Sequence, residues 1–247
     1  MVNRLKAVGV EDAELAVRFL TEDGKCTEEN IQRLIDGEPL QYILENWEFY
    51  GLPMHTRKGV LIPRPDTEIL VDTAIDFLKT RENPIFLDLG CGSGAITVAT
   101  VKHTGARAVA LDKNPLAVAL TKENAQINGV SAQVIEGDLF SFSPPLVDAV
   151  ISNPPYLDGQ EMRELAPQVQ KEPVSALFGG EDGLDYYRFI APTYAPFLKA
   201  GGALIFEIGY RQGAAVAAIC EAAGYREIQI IKDYGGNDRV VYCRRYV

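Results

Sequence analysis

The chain contains, at residues 88–95, the stretch Asp88-Leu89-Gly90-Cys91-Gly92-Ser93-Gly94-Ala95. It follows an apolar run and precedes a segment with helical periodicity. A strand that ends in closely spaced glycines and continues into a helix lets the backbone approach a ligand without obstruction by side chains. The stretch is therefore typical of a loop that binds a nucleotide-type cofactor.

Apolar runs and helical patterns alternate along the chain beyond this loop. Strands are predicted at 85–89, 108–111, 133–135, 147–152 and 203–208, and helices at 95–103, 115–128, 184–197 and 212–223. Two further strands, at 227–232 and 240–243, close the chain. The alternation predicts an α/β fold, a Rossmann-like doubly wound parallel sheet with an antiparallel terminal hairpin.

The segment before this pattern differs in character. Residues 1–45 are predicted to be helical, with Leu15, Phe19 and Leu20 at helical spacing and Thr27 as a helix cap. Residues 46–65 are predicted to form a linker with a β-hairpin, its strands at 47–50 and 60–62, and Pro65 suits the first position of a helix. Residues 66–247 then form the main domain. A helical segment this small must dock on that domain or present a face to a partner.

The glycine spacing alone does not select a cofactor. Gly90, Gly92 and Ala95, with Asp112 at the end of the next predicted strand, also satisfy the dinucleotide-binding pattern. Asp88 favours another ligand, because a carboxylate suits the cationic amino group of S-adenosylmethionine better than a pyrophosphate. The loop is therefore expected to bind S-adenosylmethionine.

Further cofactor contacts are expected from position. Asp112 can accept hydrogen bonds from both ribose hydroxyls, and Asp138 and Leu139 follow the next strand, where the edge and face of an adenine would lie. The alternative for Asp112 and Asp138 is that they only cap turns or helices. Within the loop itself, the residues expected to contact the cofactor are Gly90, Cys91, Gly92, Ser93 and Gly94.

The tetrapeptide Asn153-Pro154-Pro155-Tyr156 follows the predicted strand 147–152, at the sheet edge where ligands of such folds bind. Two prolines remove two backbone donors and hold the chain extended. The Asn153 side-chain oxygen and the Pro154 carbonyl can then accept both hydrogens of an NH2 group. Tyr156 offers an aromatic face to a planar group. The motif predicts methylation of an amide or exocyclic amine nitrogen, with Asn153 close to both cofactor and substrate.

Composition limits the remaining possibilities. Of 247 residues, 24 are Lys or Arg and 34 are Asp or Glu, so the net charge is −10, which disfavours nucleic acid as a partner. The 4 cysteines and 2 histidines form no metal-binding spacing, so no metal and reduced thiols are expected. No apolar run is long enough to span a membrane and no secretory signal is evident. The expectation is a cytoplasmic protein that acts as a monomer.

Six segments of the chain resemble the release factor glutamine N5-methyltransferases, the PrmC or HemK group; they are residues 48–53, 61–68, 88–94, 153–156, 172–173 with 180–184, and 236–240. The resemblance implies methyl transfer from S-adenosylmethionine to the glutamine of the Gly-Gly-Gln motif in class I peptide chain release factors. It also implies that residues 153–156 hold that glutamine and that Arg64 lines the mouth of the site. The N-terminal region, which docks the release factor in that family, is shorter here.

Three alternatives remain beside this interpretation. An amino-methyltransferase that acts on adenine in DNA or RNA would use the same tetrapeptide on a flipped base, but the net charge of −10 speaks against it. A dinucleotide-dependent oxidoreductase leaves residues 153–156 without a role. A non-catalytic adaptor would be expected to carry damage in the loop or in the tetrapeptide, and both are intact.

Overall fold

The computed structural model describes residues 1–10 and 12–246. The N-terminal region contains four short helices: α1 (Val2–Ala7), α2 (Ala13–Glu22), α3 (Glu28–Ile35) and α4 (Leu40–Leu44). The side chain of Thr27 caps α3, as predicted, by accepting a hydrogen bond from the Asn30 N–H at 3.2 Å. Leu15 is exposed, and α2 packs inward through Ala13, Ala16 and Leu20 instead. The region therefore has a small core of its own.

A hairpin follows the helices, but one of its strands was predicted in the wrong place. Strand β1 (Asn46–Phe49) pairs with β2 (Leu52–His55), and residues 60–62 form no strand. The chain reverses at once because Tyr50 and Gly51 both adopt positive φ, 54° and 68°, as a two-residue turn requires. Residues 60–62 form a loop in which Val60 and Ile62 are buried, and the Ile62 N–H donates a hydrogen bond to the Glu172 side chain.

The main domain alternates strands with helices. Its strands are β3 (Ile85–Leu89), β4 (Arg107–Asp112), β5 (Gln133–Glu136), β6 (Val147–Ser152), β7 (Leu198–Glu207), β8 (Arg226–Lys232) and β9 (Asp238–Arg245). Its helices are α5 (Glu68–Leu78), α6 (Ala95–Thr104), α7 (Pro115–Ile127), α8 (Asp185–Tyr194) and α9 (Gly213–Ala222). A 3-10 turn, Pro65–Thr67, begins with the proline that the sequence assigned to a first helical position.

The strands form one sheet in the order β5-β4-β3-β6-β7-β9-β8. The first five in this order pair in parallel, whereas β9 runs antiparallel to both β7 and β8. The predicted fold class, a doubly wound α/β sheet with an antiparallel terminal hairpin, is confirmed. Two buried layers cover its faces, because successive strand residues such as Phe86 and Leu87 point to opposite sides.

The sheet order brings two loops together. From β3 the chain proceeds outward through β4 and β5 and then returns to β6 on the other side of β3, so the order reverses between β3 and β6. Ligands of open α/β sheets bind in the crevice at such a reversal, outside the carboxyl ends of the strands. Leu89 and Ser152 are register partners at that edge. The glycine loop and the tetrapeptide are therefore neighbours in space.

Two features are absent from residues 1–10 and 12–246. No helix there is both long and apolar enough to span a membrane. No group of three or more His, Cys, Asp or Glu side chains is placed to hold a metal ion.

Candidate active site

A cleft opens at the carboxyl edge of the sheet, at the reversal between β3 and β6. Its walls come from five parts of the chain: residues 59–64 with Thr67; the glycine loop with Ala95 and Ile96; residues 111–114 with Ala117; residues 137–140; and Asn153, Pro155, Pro173, Ser175, Ala176 and Tyr186. One cleft thus joins the predicted cofactor loop to the predicted substrate motif.

Most of the predicted site residues line this cleft, and four do not. Those that line it are Arg64, Gly90, Cys91, Gly92, Ser93, Asp112, Asp138, Leu139, Asn153 and Pro155. Asp88, Gly94, Pro154 and Tyr156 lie outside its surface. Asp88 and Pro154 are buried, and Tyr156 is partly buried. Asp88 and Gly94 belong to the glycine loop, and Pro154 and Tyr156 are the direct neighbours of Asn153 and Pro155, which do line the cleft.

The glycine loop depends on backbone conformations that other residues rarely adopt. Gly90, Gly92 and Gly94 have φ of 76°, 56° and 81°. A Cβ at Gly94 would lie 2.8 Å from Thr121 Cγ2 and 3.0 Å from Thr121 Cα, so Gly94 is needed for the loop to pack on α7. At Gly90 a Cβ would meet nothing within 4 Å, because that side of the loop is open. A ligand can therefore approach the Gly90 backbone closely.

Asp112 and Asp138 have structural bonds as well as cleft-facing positions. Asp112 accepts the Gly92 N–H through Oδ2 at 2.9 Å and the Asn114 N–H through Oδ1 at 2.8 Å. Asp138 Oδ1 accepts the Phe140 N–H at 3.0 Å. Both carboxylates thus fix their own turns, and both also line the cleft. Each carboxylate oxygen can accept a second hydrogen bond, so the structural role leaves room for a ligand.

Asp88 lies behind the glycine loop. Its side chain is fully buried, and its Oδ2 accepts a hydrogen bond from the Thr97 hydroxyl at 2.5 Å, whereas Oδ1 has no partner. Burial raises the pKa of Asp88 to about 7, although the hydrogen bond from Thr97 acts to lower it. The sequence analysis expected Asp88 to contact a ligand directly, but a ligand in the cleft cannot reach its buried side chain. Asp88 would therefore act through the glycine loop and through its electric field.

The tetrapeptide is held by contacts on all sides. Asn153 Nδ2 donates to the Thr67 hydroxyl oxygen at 3.4 Å, and the Tyr156 carbonyl accepts from Gln212 Nε2 at 2.9 Å. Gly179 lies beneath it, where a Cβ would come within 2.5 Å of the Pro155 carbonyl oxygen and 2.8 Å of Tyr156 Cα. Because its nitrogen is engaged with Thr67, the Asn153 amide keeps its oxygen available to accept from a ligand.

Glu207, at the end of β7, was not identified from the sequence. Its side chain is 1% exposed, Oε1 accepts a hydrogen bond from the Tyr156 hydroxyl at 3.5 Å, and Oε2 is buried without a partner. Burial raises the pKa of Glu207 to about 7, while Thr67 and Arg239 act in the opposite direction. Burial, and then the charge of Glu207, raise the pKa of Tyr156. The sequence contained one signal for Glu207, namely that an acidic residue lies inside the otherwise apolar run 203–208.

Glu172 is a second carboxylate that the sequence analysis did not single out. It is 4% exposed, and it forms an ion pair with Arg64 and accepts the Ile62 N–H at 3.1 Å. These bonds hold the wall 59–64 against the loop that carries Pro173. The sequence contained one signal for Glu172, because the segment 172–173 is among those on which the family resemblance was based. Arg64 lines the cleft with its charge already paired.

Comparison with known families and proteins gives consistent results. Residues 66–178 match the family model "Methyltransferase small domain". The chain is 41% identical over 223 residues to a release factor glutamine methyltransferase from Moorella thermoacetica, covering 87% of this chain and 78% of that protein. It is also 41% identical over 228 residues to one from Fusobacterium nucleatum, covering 90% of this chain but only 64% of that longer relative.

Solved structures share the fold. A methyltransferase from Pyrococcus furiosus superposes with a TM-score of 0.64 at 15% identity, over 90% of this chain and 100% of that one. The catalytic domain of hMettl16, in complex with MAT2A 3'UTR hairpin 6, gives a TM-score of 0.67 at 14% identity, over 80% of this chain and 77% of that one. At these identities the similarity establishes the fold and nothing further.

Proposed function

Because the chain belongs to the release factor glutamine methyltransferases, we propose that it transfers a methyl group from S-adenosylmethionine to the side-chain amide nitrogen, N5, of a glutamine. The proposed substrate is the Gly-Gly-Gln motif of class I peptide chain release factors. The observation that carries the proposal is the single cleft that joins the glycine loop to Asn153. A substrate that acts in translation termination also implies that the enzyme works in the cytoplasm.

The cofactor end of the cleft fits S-adenosylmethionine. The open side of Gly90 allows close approach to the loop, Asp112 keeps acceptor capacity for ribose hydroxyls, and Asp138 and Leu139 lie further along the same wall. When bound, S-adenosylmethionine supplies an electrophilic methyl group. The residues of this chain would hold and orient it, with the buried Asp88 supporting the loop from behind.

At the end of the cleft that contains Asn153, the group to be methylated is a poor nucleophile. The lone pair of a carboxamide nitrogen is delocalised, so the protein contributes orientation and stabilisation of the positive charge that develops on nitrogen. The Asn153 side-chain oxygen would accept one N–H of the glutamine amide, and the Pro154 carbonyl the other. Pro155 lines the cleft beside them, and Tyr156 supports the wall from behind. No strong base is required for this orientation.

The acidic surface agrees with a protein substrate and with no direct contact to nucleic acid. A net charge of −10 would repel a phosphate backbone. The adenine-directed alternative is therefore kept only as an outcome of the test. We further propose that the chain acts as a monomer, because its own glycine loop and tetrapeptide meet in the same cleft.

The test is transfer of tritium-labelled methyl from S-adenosylmethionine to a purified class I release factor, followed by peptide mapping. A release factor with Gly-Gly-Ala in place of Gly-Gly-Gln and a mixture of RNA and DNA serve as parallel acceptors, and the Asn153→Ala chain serves as the enzyme control. Label confined to the motif glutamine supports the proposal. Label on nucleic acid alone would replace it with the adenine-directed alternative, and label on neither would reject both.

A further inference from the structure

The segment 236–240 is among those on which the family resemblance was based, and none of the roles considered so far uses it. It leads into β9, which pairs with β7 so that Val240 lies opposite Glu207 at the carboxyl edge of the sheet. Arg239, in this segment, has a side chain that is only 11% exposed. Because an arginine is rarely buried unless its charge is paired, the partners of Arg239 indicate what it does.

Two of the attachments of Arg239 fix it to the edge of the sheet. Its carbonyl accepts the Ile208 N–H at 2.9 Å, and its Nη1 donates to the Ile208 carbonyl at 3.5 Å. Its Nη2 donates to Asp233 Oδ2 at 3.1 Å. Ile208 directly follows β7, and Asp233 lies in the turn between β8 and β9. The guanidinium is therefore held in one place by the terminal hairpin and the end of β7.

The same guanidinium reaches the 3-10 turn Pro65–Thr67. Arg239 Nη2 lies 3.1 Å from Asp66 Oδ2, and the Asp66 side chain is 54% exposed. Within residues 1–10 and 12–246, this ion pair is the only polar side-chain contact that Asp66 makes. Arg239 is thus the fixed member of the pair, and Asp66, with the turn that carries it, is the member that is positioned.

The turn carries a side chain that belongs to the substrate end of the cleft. Thr67, which follows Asp66, lines the cleft, and its hydroxyl oxygen accepts a hydrogen bond from Asn153 Nδ2 at 3.4 Å. A bond of this length lies at the limit of an effective hydrogen bond, so a small movement of the turn would break it. The Asn153 amide would then be free to rotate. The position of the turn therefore decides whether Asn153 is held.

We propose that Arg239, acting through Asp66 and Thr67, is a positioning residue that holds the Asn153 amide in place from the terminal hairpin. The consequence for turnover rests on the proposed function, because it assumes that the Asn153 oxygen accepts an N–H of the substrate. A freely rotating amide would present its NH2 as often as its oxygen, and an NH2 cannot accept that bond. The attachment of the turn itself does not depend on any substrate.

Asp66→Asn is the central variant, because the exposed side chain can be changed without disturbing the core. It removes the ion pair and is expected to lower kcat for the release factor about fivefold, the worth of a favourable exposed pair. Asp66→Glu keeps the charge and should retain kcat within about twofold. KM should change less than about twofold. A raised KM with unchanged kcat would mean that Asp66 contacts the substrate directly, and it would overturn the proposal.

Lys232→Gln is the matched control. It removes another ion pair of the same hairpin, between Lys232 and Asp238 at 3.0 Å, which leads to no residue of the cleft. Its kcat should stay within about twofold of the wild type. If Lys232→Gln lowered kcat as much as Asp66→Asn, the effect would belong to the hairpin as a whole, and the specific path through Asp66 would be rejected.

Double variants test the order of the path. Arg239→Gln is expected to lower kcat about tenfold, and adding Asp66→Asn to it should lower kcat no further, because the pair is already broken. Independent effects would multiply to about fiftyfold and would overturn the proposal. Should Arg239→Gln fail to fold, Thr67→Val gives the same test. In that chain Asn153 has lost its acceptor, so a further fivefold loss from Asp66→Asn would be contradictory.

A measurement without substrate separates this inference from the proposed function. The Asn153 side-chain NH2 signals are identified in an NMR spectrum by their loss in Asn153→Ala. Their hydrogen exchange with water should be at least about threefold faster in Asp66→Asn than in the wild type, and unchanged in Lys232→Gln. Equal exchange in Asp66→Asn and the wild type would overturn the inference. If the wild type methylates no release factor but the exchange differs as expected, only the proposed function fails.

Discussion

A fully buried carboxylate lies beneath each end of the cleft: Asp88 beneath the glycine loop and Glu207 beneath the tetrapeptide. Burial raises the pKa of each of them to about 7. Their partners differ. Asp88 bonds Thr97, nine residues away in the same strand-loop-helix unit, whereas Glu207 bonds Tyr156, 51 residues away, and interacts with Thr67. The cofactor end is thus a local structure. The substrate end is assembled from distant segments and depends on the whole sheet.

If the two ends of the cleft function separately, Asn153→Ala should lower turnover strongly and leave cofactor binding unchanged. Loss of one preorganised hydrogen-bonding group lowers kcat roughly 100- to 1000-fold, about 3 to 4 kcal/mol. Methyl transfer to a release factor measures the first effect, and calorimetric titration with S-adenosylmethionine the second. Gln133→Ala, on the exposed strand β5, is the control. A parallel loss of cofactor affinity would show that the ends are not separable.

Within the cofactor end, Gly94→Ala should damage the fold and Gly90→Ala the ligand site. Both have positive φ, but only at Gly94 would a Cβ meet Thr121, at 2.8 Å. Backbone strain and overpacking together predict a loss of about 3 kcal/mol in the free energy of unfolding for Gly94→Ala, against about 1 kcal/mol for Gly90→Ala. Urea denaturation measures both. Equal losses would mean that packing on Thr121 does not hold the loop.

The buried carboxylates should make stability depend on pH. The pKa of Asp88 is raised from 3.8 to about 7, so between these values the folded chain keeps a proton that the unfolded chain has released. The stabilisation is therefore complete below the ordinary pKa and is lost as the pH rises through about 7, with a slope of about 1.4 kcal/mol per pH unit. Glu207 contributes with the same sign.

Asp88→Asn isolates the contribution of the cofactor end. The slope of unfolding free energy against pH, measured by urea denaturation of the ligand-free chain from about pH 4 to 7, should become shallower by about 1.4 kcal/mol per unit. The part that remains includes the contribution of Glu207 from the substrate end. An unchanged slope would show that Asp88 does not hold a proton in the folded state.

The smallest effect is expected at Tyr156→Phe. The variant loses a hydrogen bond to Glu207 that is long, 3.5 Å, and keeps the aromatic ring. A fall in kcat of less than about tenfold, near 1 kcal/mol, is expected from that bond. Steady-state methylation kinetics measure it, and Tyr156→Ala, which also removes the ring, should be worse. If the two variants were equal, the hydroxyl and not the ring would be what Tyr156 contributes.

The same contrast explains what the sequence could predict. The glycine loop and the tetrapeptide are contiguous, and their chemistry depends on residue types and on their place after a strand, so both were identified. The fold class, a doubly wound α/β sheet with an antiparallel terminal hairpin, followed from the alternation of patterns. Glu207 was not identified because its place beside Tyr156 arises from the register of β6 with β7, which a local pattern does not contain.

Errors in the sequence analysis have a similar origin. Residues 60–62 were predicted as a strand because their apolar pattern is strand-like. Their backbone instead bonds distant side chains: the Ile62 N–H donates to Glu172, 110 residues away, and the Val60 carbonyl accepts from Tyr42. Asp88 was assigned a direct ligand contact from its position, and its burial behind the loop depends on how β3 packs. The roles of the individual site residues stay predictions until variants are measured.

The wall formed by residues 59–64 bears on how this chain could be recombined with its relatives. That wall belongs to the cleft, yet Tyr42, in the last N-terminal helix, donates a hydrogen bond to the Val60 carbonyl at 2.7 Å, and Glu172 holds Ile62 from the other side. A chimera that exchanges the N-terminal helices at the hairpin would therefore separate Tyr42 from Val60 and weaken one side of this wall. A junction before α4 keeps Tyr42 with its acceptor and leaves the catalytic wall whole.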